Sequence, residues 1–217
     1  MREAEIKRAL ALHLNNLPEN LPGSFLEEVE LSGGEIRADL VHVMDMHCYE
    51  IKSEADTLKR LIGQGARYAR VFDRVTLVTA ERHLKKALPI LPSWWGILVL
   101  PDETTDKFKQ IRSAKPNKRH EPDVLATLLK RDEALHLLDK LGQLRGWKSK
   151  SLYQIQAHIA QILSLDELRQ HVREYLLKRV GLSQSIHRRE ELIVELENLA
   201  TDLSPADLYE KARTLSI

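Results

Sequence analysis

The chain has 217 residues, 43% hydrophobic and 30% charged, a balance that fits one sizeable globular core with a smaller appendage and excludes a low-complexity polymer. Its formal net charge is +1, so no global field marks a nucleic-acid partner, and any such claim has to rest on local charge. A single cysteine, Cys48, excludes an intramolecular disulfide framework, and no apolar run approaches the roughly 20 residues that span a bilayer.

The first segment, MREAEIKRALALHL, is charged and amphipathic and lacks the apolar centre of a signal peptide, so a cytoplasmic location is expected. From residue 2 to about 15 it places Ile6, Leu10, Leu12, Ala9 and Leu14 near one face of a helix that stops before NNLPENLPG. FLEEVEL then alternates as a first strand, and SGGE is a turn. RADLVHVM and HCYEIKS read as two antiparallel strands closed by a short turn at Asp45. DTLKRLIGQGARYARVF is helical in pattern, with Leu58, Leu61, Ile62, Ala66 and Ala69 available for packing. RVTLVTA is a short apolar strand of the kind buried on both faces, ERHLKKAL is a helix, and WGILVLP is another strand. Helix, three strands, helix, strand, helix, strand implies a mixed sheet flanked by helices, an α/β (α+β) core over residues 1–105.

The character changes near Pro101. Between Lys107 and Lys150 basic residues outnumber acidic ones by about seven, and SAKPNKRHEPD reads as an exposed linker within a basic segment at 106–122. Residues 123–217 form an all-α C-terminal region: DVLATLLKRDEALHLLDKLGQL, SLYQIQAHIAQIL, SLDELRQHVREYLLKRV, HRREELIVELENLA and SPADLYEKARTL are amphipathic. Asp123, Ser151, Ser164 and Ser204 stand in N-cap positions. Lys115, Lys118, Arg119, Arg145, Lys148 and Lys150 are the candidate contacts to a phosphate backbone, and the tail helices are an alternative protein interface.

The chemistry concentrates in the hairpin. Residues two apart on a strand share a face, so Glu50 and Lys52 project together while Tyr49 and Ile51 face a core. Asp39, on the preceding strand, can sit across from them. Two carboxylates and an ammonium at one spot suit a divalent metal such as magnesium, which takes hard oxygen ligands and keeps waters for chemistry. Gln64 and Tyr68 stand four apart on one face of the next helix, suited to orienting a phosphate or a water. His42, Asp45, His47 and Cys48 cluster at the hairpin tip but lack the spacing of an ordinary zinc module, and Trp94-Trp95 reads as the packed start of a strand.

Asp39, ten intervening residues, then Glu50-Ile51-Lys52 resembles the D-x(n)-(D/E)-x-K core of the PD-(D/E)XK nuclease superfamily. Gln64 and Tyr68 resemble the added Q-x-x-x-Y motif of its RecB-like exonuclease branch. More narrowly, RADLV, YEIKSEADTLKRL and VFDRVTLV look like a bacterial and phage family of small nuclease-like proteins. The likeness covers about residues 1–100 and extends more weakly to LLKRDEAL and SLDELRQHVREYLLKR. It implies a restriction-endonuclease-like sheet, Mg2+ or Mn2+ at Asp39 and Glu50, and Lys52 as the charged catalytic partner. It implies hydrolysis of phosphodiesters in DNA, with RNA as an alternative, in repair, mobile-element or phage-defence processes. The residue before Asp39 is Ala38 where the pattern has proline, a difference in backbone shaping that leaves the chemistry in place. Superfamily members often add a metal-side glutamate from the first helix or strand; Glu5, Glu28 and Glu30 are the candidates. The rival expectation is a non-catalytic nucleic-acid-binding or partner-binding module on the same scaffold.

Overall fold

The computed structural model describes residues 3–17, 24–53, 55–100 and 107–202, without the side chains of 3, 4, 32 and 184–202. The helix expected over SPADLYEKARTL, with Ser204 as its cap, lies outside the described residues. The chain divides into two compact units, Met1–Leu177 and Lys178–Ile217.

In the first unit, helix α1 (Glu3–Asn15) leads into strands β1 (Phe25–Leu31), β2 (Ile36–His42) and β3 (His47–Lys52). Then come α2 (Leu61–Tyr68), β4 (Arg74–Thr79), α3 (Glu81–Ala87), β5 (Gly96–Val99) and β6 (Lys109–Arg112). The strands lie in the order β1-β2-β3-β4-β5-β6, antiparallel from β1 to β3, parallel from β3 to β5, and antiparallel again at β6. The expected mixed α/β sheet flanked by helices is therefore present, with helices following it in sequence. Parallel neighbours require crossover connections, and α2 and α3 occupy those two crossovers.

One face of the sheet carries Leu40, Tyr49, Ile51, Val78 and Leu98, packed against Ile6, Leu10 and Leu14 of α1. Those three helix positions recur every four residues, so they form one apolar stripe, and Leu12, expected on it, is 60% exposed instead. Tyr49 and Ile51 face this core as strand parity requires. The opposite face of β3 is buried too, because Trp95 and the Leu61, Gly65 and Tyr68 side of α2 lie over it. A Cβ on Gly65 would come within 2.8 Å of Trp95 Cζ2, so the glycine is what lets α2 approach the indole so closely. The packing stripe of α2 is thus Leu61, Gly65 and Tyr68; Ile62 and Ala66, expected in the core, are exposed.

Residues 106–122, expected as an exposed linker, contain β6 and a strap tied to the sheet. Asn117 is buried, and its Nδ2 donates to the carbonyls of Ala69 (2.6 Å) and Phe72 (3.0 Å). The apolar pattern expected as one helix from Asp123 forms two, α4 (Pro122–Ala126) and α5 (Arg131–Lys140). Lys130 is extended between them (ψ 163°), its N–H donates to Glu133, and Gln156 donates to the Leu129 carbonyl freed by the break. The cap of α4 is Glu121, with Pro122 in the first turn, so Asp123, expected as the cap, is the second residue of the helix. Helix α6 (Leu152–Ile162) is capped by Ser151, which exchanges bonds with Gln154 in a capping box. Ser164 caps α7 (Leu165–Asp202) through a similar exchange with Glu167. The two tail helices expected here are one, α7, whose range includes Gly181. Among the described residues, no helix is long and apolar enough to cross a membrane.

Candidate phosphodiesterase site

Antiparallel pairing sets Leu40 opposite Tyr49, which brings Asp39 to the level of Glu50 and Ile51. The Ile51 N–H donates to Asp39 Oδ2 at 2.7 Å. Lys52 and Glu50, two apart on one face, form an ion pair with Nζ 2.5 Å from Oε1. The Tyr68 hydroxyl, carried in by α2, donates to Glu50 Oε2 at 2.7 Å and lies 3.0 Å from the Arg37 carbonyl oxygen. Asp39, Glu50, Lys52 and Tyr68 therefore meet, as the strand and helix periods require.

Glu50 has no exposed surface, and both of its oxygens are engaged. Burial pushes Asp39 up to about 7, and the nearby Glu50 charge adds to the rise; the Ile51 N–H and the Lys52 and Lys7 charges oppose it. Burial works against the Lys52 charge, yet Glu50, Asp39 and Asp56 outweigh it and hold the ammonium above its ordinary value. Lys52 is therefore a fixed positive charge and not a proton acceptor near neutral pH. Tyr68 stays protonated, because burial first and then the charges of Glu50 and Asp39 disfavour a phenolate. Cys48 shares this face of β3 and is wholly buried, and its thiol is raised by burial and by the same two carboxylates.

Of the three candidate glutamates, Glu28 borders the site. It lines the cleft with Asp39, pairs with Lys7 of α1, and lies 3.4 Å from Arg37 Nε. Its φ of +51° is left-handed, an uncommon conformation for a non-glycine residue inside a strand. Glu5 and Glu30 are exposed, and neither lines the cleft. Gln64 does line it, and Gln64 Oε1 is buried with no hydrogen-bond partner.

Among the described residues, no group of three His, Cys, Asp or Glu side chains stands ready to hold a metal. Magnesium commonly uses only one or two carboxylates, with waters and substrate oxygens completing its shell. Asp39, raised by burial and by the neighbouring Glu50 charge, and the buried Glu50 carboxylate fit that donor chemistry. The hairpin-tip residues serve packing and pairing instead. His42 Nδ1 lies 2.5 Å from Asp45, Arg74 reaches Asp45 at 3.3 Å, and His47 Nε2 lies 2.8 Å from the Thr76 hydroxyl.

The open cleft beside Asp39 measures about 760 Å3 and is also lined by Arg37, Lys59, Arg60 and Arg67. The basic residues expected to grip a backbone lie elsewhere. Lys115, Lys118 and Arg119 are exposed on the strap, while Arg145, Lys148 and Lys150 are exposed between α5 and α6. Sequence reasoning missed Lys7 and the four cations of the cleft. For Lys7 the available signal was its place beside Ile6, one turn before Leu10, on the inward side of α1.

The profile of the family described as bacteriophage P4 protein cII matches residues 1–205. Protein cII of Enterobacteria phage P4 is 28% identical over 144 residues, which is 65% of this chain and 54% of that protein. The chain thus matches about half the length of that curated relative. Among solved structures, a protein of unknown function from Silicibacter pomeroyi matches 70% of this chain and 97% of its own, at 20% identity and a TM-score of 0.40. With a profile that spans nearly the whole sequence, the chain belongs to the bacteriophage P4 protein cII family.

Proposed function

We propose that the protein is a metal-dependent DNA nuclease of the PD-(D/E)XK type, built on a restriction-endonuclease-like core and acting in the cytoplasm. The observation that carries this reading is the meeting of Asp39, Glu50 and Lys52 at one spot beside an open cleft. Asp39 and Glu50 would hold Mg2+ or Mn2+, with Glu28 adjacent; the ion supplies polarisation of a phosphodiester and a more acidic water. Lys52 faces the charge that develops on the phosphate, as a fixed ammonium in a water-poor place. Tyr68 and Ile51 N–H hold the two carboxylates in their rotamers, and Gln64 presents its amide at the cleft wall. The test is a panel of single-stranded, duplex and branched DNA and of RNA, each with Mg2+, Mn2+ or EDTA. DNA is cut with metal and not with EDTA, and Lys52→Ala and Asp39→Ala each lower the rate by about 10²–10³-fold while the circular dichroism spectrum stays native. Cleavage that survives both substitutions overturns the assignment.

The second reading, a non-catalytic module that binds nucleic acid or a protein partner, is favoured by one feature of Glu50. Its carboxylate is wholly buried and already satisfied by Lys52 and Tyr68. It predicts salt-sensitive binding or capture of a partner through the C-terminal helices, without turnover in any metal.

A further inference from the structure

We propose that the cleft beside Asp39 is a DNA-backbone groove, and that Arg37, Lys59, Arg60 and Arg67 grip the strand, not the basic residues between Lys115 and Lys150. This rests on the nuclease reading of Asp39, Glu50 and Lys52, and it adds which surface holds the substrate.

The four cations come from β2 and from the approach to and last turn of α2, so they border the cleft that Asp39 and Gln64 also line. Arg60 and Arg67 are seven residues apart, which at the helical rise is about 10 Å along α2. That is close to three base-pair steps of a duplex, in which each strand carries one phosphate per about 3.4 Å of helix axis. The two acidic side chains of the wall besides Asp39 are already compensated. Glu28 pairs with Lys7 and neighbours Arg37, and Glu35 lies 3.1 Å from Arg67. Both members of the Arg67–Glu35 pair are largely exposed, and such a pair is weak, so the guanidinium exchanges readily onto a phosphate. Lys59 and Arg60 are exposed and have no ion-pair partner among the described residues. Gln64 lines the same cleft beside these cations.

The basic residues further along the chain have other surroundings. Asn117 pins the strap that carries Lys115, Lys118 and Arg119 to the carbonyls of Ala69 and Phe72. Arg131 holds the carbonyls of Lys148 and Lys150 at 2.7 and 2.8 Å. None of these lysines or arginines lines the cleft. A phosphate bound there would be bound away from the groups that act on it.

Fluorescence anisotropy with labelled single-stranded and duplex DNA 20-mers, in EDTA across a salt series, separates the two surfaces without cleavage. The double variant Lys59→Ala/Arg60→Ala is expected to bind at least about tenfold more weakly, and its slope of log affinity against log salt falls by about 2. Lys148→Ala/Lys150→Ala keeps wild-type affinity and slope. Wild-type affinity and slope in Lys59→Ala/Arg60→Ala overturn the proposal, as does a wild-type protein that binds neither DNA. If binding depends on Lys59 and Arg60 but no metal supports cutting, the groove stands and the nuclease reading falls. If metal-dependent cutting proceeds in Lys59→Ala/Arg60→Ala with unchanged KM, the groove falls and the nuclease reading stands.

Discussion

A carboxylate with no exposed surface is held only by what sits on its oxygens, and for Glu50 those groups are the Lys52 ammonium and the Tyr68 hydroxyl. Removing one partner of a buried charge leaves a desolvated oxygen unsatisfied, which costs about 1–3 kcal/mol. Tyr68→Phe keeps the ring against Phe72 and Trp95 and deletes only the donor. It is expected to lower the unfolding free energy by an amount in that range, read as a lower urea midpoint at an unchanged m-value; a variant as stable as wild type would show that the bond contributes nothing. These contacts were largely legible in the sequence, because strand parity put Glu50 beside Lys52 and pairing put Asp39 across from them. The depth of Glu50 was not legible. It depends on Trp95 and on the close approach at Gly65, residues 45 and 15 positions away from Glu50 in sequence, which no local pattern links to β3. Nor was the choice of Glu28 legible, since it turns on a left-handed φ within β1 and on the partnership with Lys7.

At the scale of elements, the strands were read well and the helix limits less so, for a physical reason. β3 and β4 are central and covered on both faces, and their apolar content is a local signal. β6 is an edge strand, largely exposed, with sequence KQIR, and only its pairing with β5 makes it a strand. That pairing puts Gly96 against the chain beyond β6: a Cβ there would lie 2.4 Å from Thr76 Oγ1 and 2.9 Å from the backbone nitrogen of Ala114. Because the second neighbour is backbone and cannot swing aside, Gly96→Ala is expected to destabilise by about 1–3 kcal/mol, read from thermal or urea unfolding. Unaltered stability would mean that the edge is looser than its register. The N-terminal end of β3 carries a pH response as well. Burial pushes His47 down to about 4, with Arg74 and His42 adding and Asp45 opposing. An unfolded histidine titrates near 6.5. Between about 6.5 and 4 the unfolded chain therefore takes up a proton that the folded chain refuses, so stability falls as pH falls through that interval and this contribution levels off below it. The difference in stability between wild type and His47→Asn, from urea unfolding at several pH values, should show this slope; Asp39, raised to about 7, contributes one of opposite sign that is common to both proteins.

Across the first compact unit as a whole, the sheet and the helical region are joined at Asp73, which lies between α2 and β4. Arg169 Nη2 of α7 lies 2.6 Å from both Asp73 oxygens, and His120 Nε2 and Arg173 lie 3.1 and 3.9 Å from the same carboxylate. The main chain of Asp73 is tied as well: its N–H donates to Met46 and its carbonyl accepts from Asn117. One residue thus joins the hairpin tip, the strap and the first turns of α7. No sequence pattern announced it, since its partners lie 27 to 100 residues away. Hydrogen bonds to charged groups contribute about 1.5–3 kcal/mol. Asp73→Asn keeps the size of the side chain and removes its charge. It is expected to lower stability by about 1–2 kcal/mol, with Arg169→Ala doing the same and the double variant little worse than either, because both delete one contact. Hydrogen exchange locates the effect: amides of α4, α5 and α6 should exchange faster in Asp73→Asn while those of β3 and β4 keep wild-type protection. Equal acceleration in the central strands would show that the helical region and the sheet open together, and that Asp73 joins two parts of one cooperative body.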